Sequence, residues 1–252
     1  MGRKRQARER LETRFQGEAQ ARGTPPGHHR REAGLPTVAS RRAILAPVFT
    51  GLVQALGTIR AIEARPGATR LVVSLGGWDH HPDLGASISV NGCCLTVAAA
   101  EGAPEPTLAF DMIPQTLAVT ALGRVAVGDR VNLEHAATPN TFLGGHVVLG
   151  HVDGLAEVVG LSTAGEWRVR LLLPGDLGRY AVDKGSITLD GVSLTIARVE
   201  ETARGTVVDV CLIPETLART NLGARTVGDV VHVEADYLAK LVARQLEWLK
   251  NR

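Results

Sequence analysis

The chain has 252 residues, 44% hydrophobic and 21% charged, with a formal net charge of +2; it is long enough for one large core or two small ones. Only 4% of residues are aromatic, too few for a nucleic-acid stacking surface, and no apolar run approaches the roughly 20 residues of a membrane span. Cys93, Cys94 and Cys211 form neither a disulfide framework nor a zinc spacing, so a metal-free chain in a reducing cytoplasm is expected.

The first segment, Met1 to Pro47, carries eleven Lys/Arg against four Asp/Glu, and the remainder seventeen against twenty-two. The basic character therefore belongs to that segment alone. It lacks apolar periodicity and includes Thr24-Pro25-Pro26-Gly27, a composition predicted to stay disordered. A basic arm could bind nucleic acid or direct targeting. The four acids and near absence of serine weigh against a transit peptide, and a solvated tail or misassigned start is the simpler reading.

From Phe49 onward short β-rich runs alternate with turn residues, as at 70–75 and 166–173, which predicts an all-β body. Within it SISVNGCCLTV at 87–97 returns as SITLDGVSLTI at 186–196, and Ile113-Pro114-Gln115-Thr116-Leu117 as Ile213-Pro214-Glu215-Thr216-Leu217. The offset is 99 in the first pair and 100 in the second, so one insertion reconciles them. Repetition over so long a period means two copies of one domain. Two tandem β-barrels are expected, over 48–144 and 145–235. The chain then changes period: Leu238, Leu241, Val242, Leu246 and Leu249 follow helical spacing after Asp236, a natural N-cap. This helix over 236–252 lies outside both repeats, and its apolar stripe could pack on a barrel or join another chain.

The repeat also orients the strands. Alternation puts Cys93, Leu95 and Val97 on one face, matched by Val192, Leu194 and Ile196; this apolar set is the expected core. The opposite face carries Cys94 and Thr96 in one copy, Ser193 and Thr195 in the other. The Asn91-Gly92 and Asp190-Gly191 turns before them suggest loop-end sites. Leu52 in the first copy becomes His151 in the second, beside Gly150, where a ligand could approach backbone closely and imidazole could move protons. A lone histidine is more often structural. His146 follows Gly144-Gly145 in the same stretch. Phosphate-binding glycine loops and the nucleophile elbow are absent.

Taken together, FTGLV, NGCCLTV, FDMIPQTL, GGHVVLGHVDG, KGSITLDGVSLTI, IPETLARTNLG and VEADYLAKLV, in order from 49 to 242, resemble the α-chain family of riboflavin synthases. The resemblance implies two six-stranded Greek-key barrels and a C-terminal helix that assembles a homotrimer. Each active site would lie between one chain's N-terminal barrel and a neighbour's C-terminal barrel. It would stack two molecules of 6,7-dimethyl-8-ribityllumazine and pass a four-carbon unit between them, with no cofactor, metal, nucleic acid or membrane involved. Lumazine synthase is a candidate partner. By the family pattern Cys94, His151, Ser193, Thr195 and Asp236 form the catalytic set, with His151 and Ser193 for proton handling and Cys94 for addition. The substrates would be held by Phe49, Gly51, Leu52, Val53, Leu95, Thr96, Asp111, Met112, Ile113, Pro114, Gln115, Thr116, Gly150, Val152, Lys184, Leu194, Leu212, Ile213, Pro214, Glu215 and Thr216, together with Cys94, His151, Ser193 and Thr195.

The chain departs from the family pattern at several points. Gln115 stands where a glutamate is usual, Ala121 where the second copy has Asn221, and residues 139–143 lack an Asp-Arg pair; the first pocket's contacts should differ accordingly. Val48 occupies the place of the family's initiator methionine, so the natural chain is expected to start at position 48, with 1–47 an extension. Antenna proteins of luminous bacteria share the resemblance but bind lumazine or flavin without turnover, and they supply the rival reading.

Overall fold

The computed structural model describes residues 47–102 and 104–252. The expectations of disorder and of a displaced start therefore concern a segment that lies, except for Pro47, outside the described residues.

Strands β1 (Ala55–Arg65), β2 (Ala68–Ser74), β3 (Ser87–Val90), β4 (Cys93–Glu101), β5 (Thr107–Met112) and β6 (Arg130–His135) close a barrel in the order β1-β2-β5-β4-β3-β6. A short helix α1 (Pro114–Val119) links β5 to β6. The second copy repeats this with β7 (Gly154–Ser162), β8 (Trp167–Leu172), β9 (Ser186–Leu189), β10 (Val192–Thr202), β11 (Gly205–Leu212), α2 (Pro214–Arg219) and β12 (Val230–Ala235). Its cyclic order is the same, β7-β8-β11-β10-β9-β12, a Greek key with every pairing antiparallel. Even the irregularities recur: β1 is bulged between Ile59 and Ala61 and β7 between Val158 and Gly160. Each bulge admits the strong bend that a small barrel needs.

Alternation along β4 behaves as the sequence predicts. Cys93, Leu95 and Val97 are buried in the first core, while Cys94 is half-buried and Thr96 exposed. In β10 Val192 and Ile196 are buried and Leu194 packs partly against the second core. The hairpin turns have positive φ at both central residues, 47° and 79° at Asn91-Gly92 and 45° and 81° at Asp190-Gly191, as a two-residue hairpin of this twist requires.

Those turns are not open loops, which corrects the expectation placed on them. They abut one another between the barrels, so close that a Cβ on Gly92 would stand 2.7 Å from the Gly191 nitrogen. A buried polar seam surrounds them. Asn132 Nδ2 donates to Asp190 O at 2.8 Å, and its Oδ1 accepts from Asn221 N at 2.8 Å. At the equivalent position His232 Nδ1 donates to Asn91 O at 2.6 Å, and Nε2 accepts from Ala121 N at 2.7 Å. One donor and one acceptor define a neutral ring, and the crossed bonds satisfy groups that would otherwise be costly to bury. Ala121 therefore lies at this seam and contributes backbone, not pocket chemistry.

Helix α3 (Tyr237–Lys250) starts at Asp236, whose Oδ1 accepts from Leu238 N at 2.8 Å. None of its side chains is buried. Polar links hold it to the second barrel, through Arg179–Glu247 at 2.9 Å and Lys240–Asp153, while Leu238, Val242, Leu246 and Leu249 stay exposed. Among the described residues no helix is long and apolar enough to cross a membrane.

Candidate functional site

Each barrel is preceded by an extended leader, and the two leaders are exchanged. Phe49 and Val148 bridge them, with Phe49 N donating to Val148 O at 2.7 Å and Val148 N donating to Phe49 O at 3.1 Å. The first leader then crosses to the second barrel, where Gly51 O accepts from Ser193 N at 2.8 Å and Val53 packs on the second core. The second crosses to the first barrel, where Gly150 O accepts from Cys94 N at 2.9 Å and Val152 packs on the first core. Gly51 and Gly150 have φ of +75° and +74°, and a Cβ on either would lie 2.6 Å from the Cβ of Ser193 or Cys94. Only glycine meets both demands.

Two glutamates fix the leaders. Glu134 on β6 accepts from Thr50 N and Thr50 Oγ1, both at 2.7 Å, and from Gly51 N at 3.0 Å. Glu234 on β12 accepts from Leu149 N, Gly150 N and His151 N at 2.8, 3.0 and 3.1 Å. Burial pushes the Glu134 carboxyl up against the pull of its hydrogen bonds. At Glu234 burial wins further, up to about 7, despite bonds from Leu149 and Gly150 and the charge of Lys240. Neither glutamate was among the sequence candidates. The available signal was an identical acid at offset 100, next to Leu133 in one copy and Val233 in the other, where a buried carboxylate needs partners.

The crossing gathers two clusters, each built from both copies. One sets half-buried Cys94 and exposed Thr96 against Gly150 and exposed His151. Burial raises the Cys94 thiol above its ordinary range, opposed by a hydrogen bond with Ser87. The neighbouring Cys93 thiol is pushed up to about 12, again by burial. The other cluster sets Ser193 and exposed Thr195 against Gly51 and Leu52. Here His146 Nδ1 lies 2.7 Å from Ser193 Oγ and its Nε2 3.1 Å from Thr188 Oγ1. Burial holds this imidazole below its ordinary value, opposed by the charge of Asp236. The Gly144-Gly145 pair before it was the clue: a Cβ on Gly145 would stand 2.8 Å from Ser193 Cβ.

Asp111 follows Phe110 on β5, whose partner on β4 is Val97. Arg70 grips that carboxylate through Nε and Nη2, both at 2.8 Å, and lowers its pKa. Ile113, Pro114 and Gln115 are exposed and Thr116 half-buried at the start of α1. Ile213, Pro214, Glu215 and Thr216 repeat this at α2, where Glu215 pairs with Arg219. Lys184 is exposed with φ of 65°. In one respect the candidate list needs correction. Phe49, Leu95, Met112 and Leu212 are buried, so their side chains belong to the packing and only their backbone could meet a ligand. The described residues hold no cluster of His, Cys, Asp and Glu suited to a metal ion.

The lumazine binding domain family matches this chain twice, over residues 50–136 and 149–236. The chain is 40% identical to the riboflavin synthase of Mycobacterium tuberculosis (strain ATCC 25618 / H37Rv) over 198 residues, which cover 78% of this chain and 97% of that protein. With the Escherichia coli K12 riboflavin synthase the identity is 38% over 205 residues, covering 79% and 92%. Among solved structures, LumP complexed with 6,7-dimethyl-8-(1'-D-ribityl) lumazine aligns with a TM-score of 0.60 at 26% identity, covering 74% of this chain and 98% of LumP. LumP complexed with riboflavin aligns with the same score at 27% identity, covering 74% and 98%.

Proposed function

The chain belongs to the riboflavin synthase family, and on that footing we propose that it is a transferase which converts two molecules of 6,7-dimethyl-8-ribityllumazine into riboflavin and 5-amino-6-(D-ribitylamino)uracil. The observation that carries this reading is the pair of crossed clusters, in which each copy's leader completes the other copy's strand. Two equivalent half-sites suit a reaction whose two substrates are the same molecule. All atoms of the two lumazines are redistributed into the two products, so the balance needs no outside oxidant or cofactor.

The chemistry needs a base for an acidic methyl group on one lumazine and an addition at a ring carbon of the other. Fixed parallel placement supplies much of the rate, because it replaces an encounter in solution. His151 and Ser193 serve the proton transfers. Cys94, its thiol raised by burial, acts as a neutral hydrogen-bond donor at the addition centre and not as a thiolate. Thr96, Thr195 and the segments 111–116 and 212–216 hold the ribityl chains and pyrimidine edges. Lys184 and Asp236 close the second half-site. The exposed stripe of α3 supports a homotrimer whose neighbouring chains bring their half-sites together, and the setting is cytoplasmic. Association with lumazine synthase would deliver substrate directly.

Incubating the purified chain with the lumazine and following flavin absorbance tests the reading. Flavin formed together with an equal amount of the pyrimidine is the expected result. Tight binding without turnover would instead identify a non-catalytic lumazine or flavin carrier.

A further inference from the structure

The two half-sites are wired differently, and the difference falls on the group beside each nucleophile-type side chain. Ser193 on β10 faces His146 Nδ1 at 2.7 Å, and the far nitrogen of that ring faces Thr188 on β9 at 3.1 Å. Thr188 is buried, so the imidazole is anchored at both nitrogens between two adjacent strands. Gly145 lets this segment lie directly on Ser193, and a Cβ there would meet Thr50 O at 2.1 Å. At the equivalent position of the first copy, one residue before Val48, stands Pro47. Among the described residues Cys94 accordingly has no imidazole hydrogen-bond partner and bonds with Ser87 instead.

We propose that His146 is a positioning residue that aims the Ser193 hydroxyl at the substrate for the proton transfer in its half-site, while His151 serves the half-site of Cys94. This rests on the reading of the chain as a riboflavin synthase. His146 does not touch substrate; it acts through Ser193. A neutral ring donates from one nitrogen and accepts at the other, so in either tautomer it fixes the Ser193 rotamer. Burial holds its pKa below the ordinary value and so favours the neutral ring, against the opposing charge of Asp236 at the N-cap of α3. His151, exposed and without a side-chain hydrogen bond among the described residues, is left free to meet the ligand itself.

The test is steady-state flavin formation by the full chain and three His146 variants, with thermal unfolding alongside. His146→Ala should lower kcat roughly 10- to 100-fold, the range for a misplaced catalytic group, with KM nearly unchanged. His146→Asn keeps a polar atom near the Nδ1 position and should recover most of that loss. His146→Gln places its amide toward Thr188 and should not. Ser193→Ala should lower kcat by itself, and adding His146→Ala should then change little, since the two act as one unit. Independent, multiplying losses in the double variant would overturn the proposal, as would full activity in His146→Ala. Should His146→Ala fail to fold, the Asn and Gln pair still decides: equal activities overturn the proposal. A wild type that binds lumazine but makes no flavin overturns the proposed function and the catalytic role of His146 with it.

Discussion

Cys93 and Cys94 are chain neighbours separated by one step of a strand, and that step decides their chemistry. Cys93 lies in the first core with its thiol pushed up to about 12 by burial; it is a small hydrophobe. Cys93→Ser should cost about 1–3 kcal/mol, the range for burying a hydroxyl without a partner, and leave turnover per folded molecule intact. Cys94→Ser should slow turnover while leaving the unfolding temperature close to wild type. Thermal scans and flavin assays on the two variants check this, and matching catalytic defects would contradict the face assignment. The glycines make a sharper case. At Gly51 and Gly150 a methyl group would stand 2.6 Å from a neighbouring Cβ, with φ near +75°. Gly51→Ala or Gly150→Ala should abolish flavin formation and lower the unfolding temperature, whereas the same change at exposed Gly102, with nothing within 4 Å, should do neither. The face of Cys93 was legible because strand alternation is a local rule. The bond from His146 to Ser193 was not, since 47 residues of chain separate the partners and no periodicity encodes such a contact.

At the scale of elements, the repeat makes both barrels readable in the sequence, down to the equivalence of β4 with β10. It could not tell which barrel each leader serves. A leader pairing with its own barrel or with the other satisfies the same sequence, because both strands present equivalent backbone at Cys94 and Ser193. What settles the exchange is the pair of backbone bonds from Ser193 N to Gly51 O and from Cys94 N to Gly150 O, while Glu134 and Glu234 tie each leader to the last strand of its own barrel. Glu234 gives this arrangement a measurable pH dependence. Its folded pKa, about 7, lies above the ordinary 4.5, so the folded chain binds more protons than the unfolded chain between those values. Stability from this group is therefore greatest at low pH and falls as pH rises from 4.5 through 7. Across the full window the change is at most about 3 kcal/mol. Urea unfolding of wild type and Glu234→Gln from pH 5 to 8 isolates it, because other titrating groups cancel in the difference. Wild type should gain on the variant as pH falls, and a difference independent of pH would refute the assignment.

At the scale of the whole molecule, the helical period of 237–250 and its cap were legible, and α3 forms where the spacing predicts. Where its stripe would go was not legible, because an amphipathic pattern specifies a partner without naming it. Within one chain the stripe meets no core: Leu238 is 65% exposed and Leu249 60%. Burying such side chains yields about 1.5–3 kcal/mol each, so leaving several in water is a standing drive toward association. The barrels, for their part, draw no buried side chain from the helix. Removing residues 238–252 should therefore leave both barrels folded, with an unchanged β-type circular dichroism spectrum, while abolishing assembly. Sedimentation should show trimers for the full chain and monomers for the truncated one. Flavin formation should fall steeply in the truncated chain, because half-sites on neighbouring chains no longer meet, although lumazine binding by the isolated barrels should persist at reduced affinity. A truncated monomer with full turnover would refute the shared site. A truncated chain that unfolds would show instead that the polar links of Arg179 to Glu247 and Lys240 to Asp153 stabilise the second barrel, and Glu247→Gln with Lys240→Gln in the full-length chain would then reproduce the loss without touching the stripe.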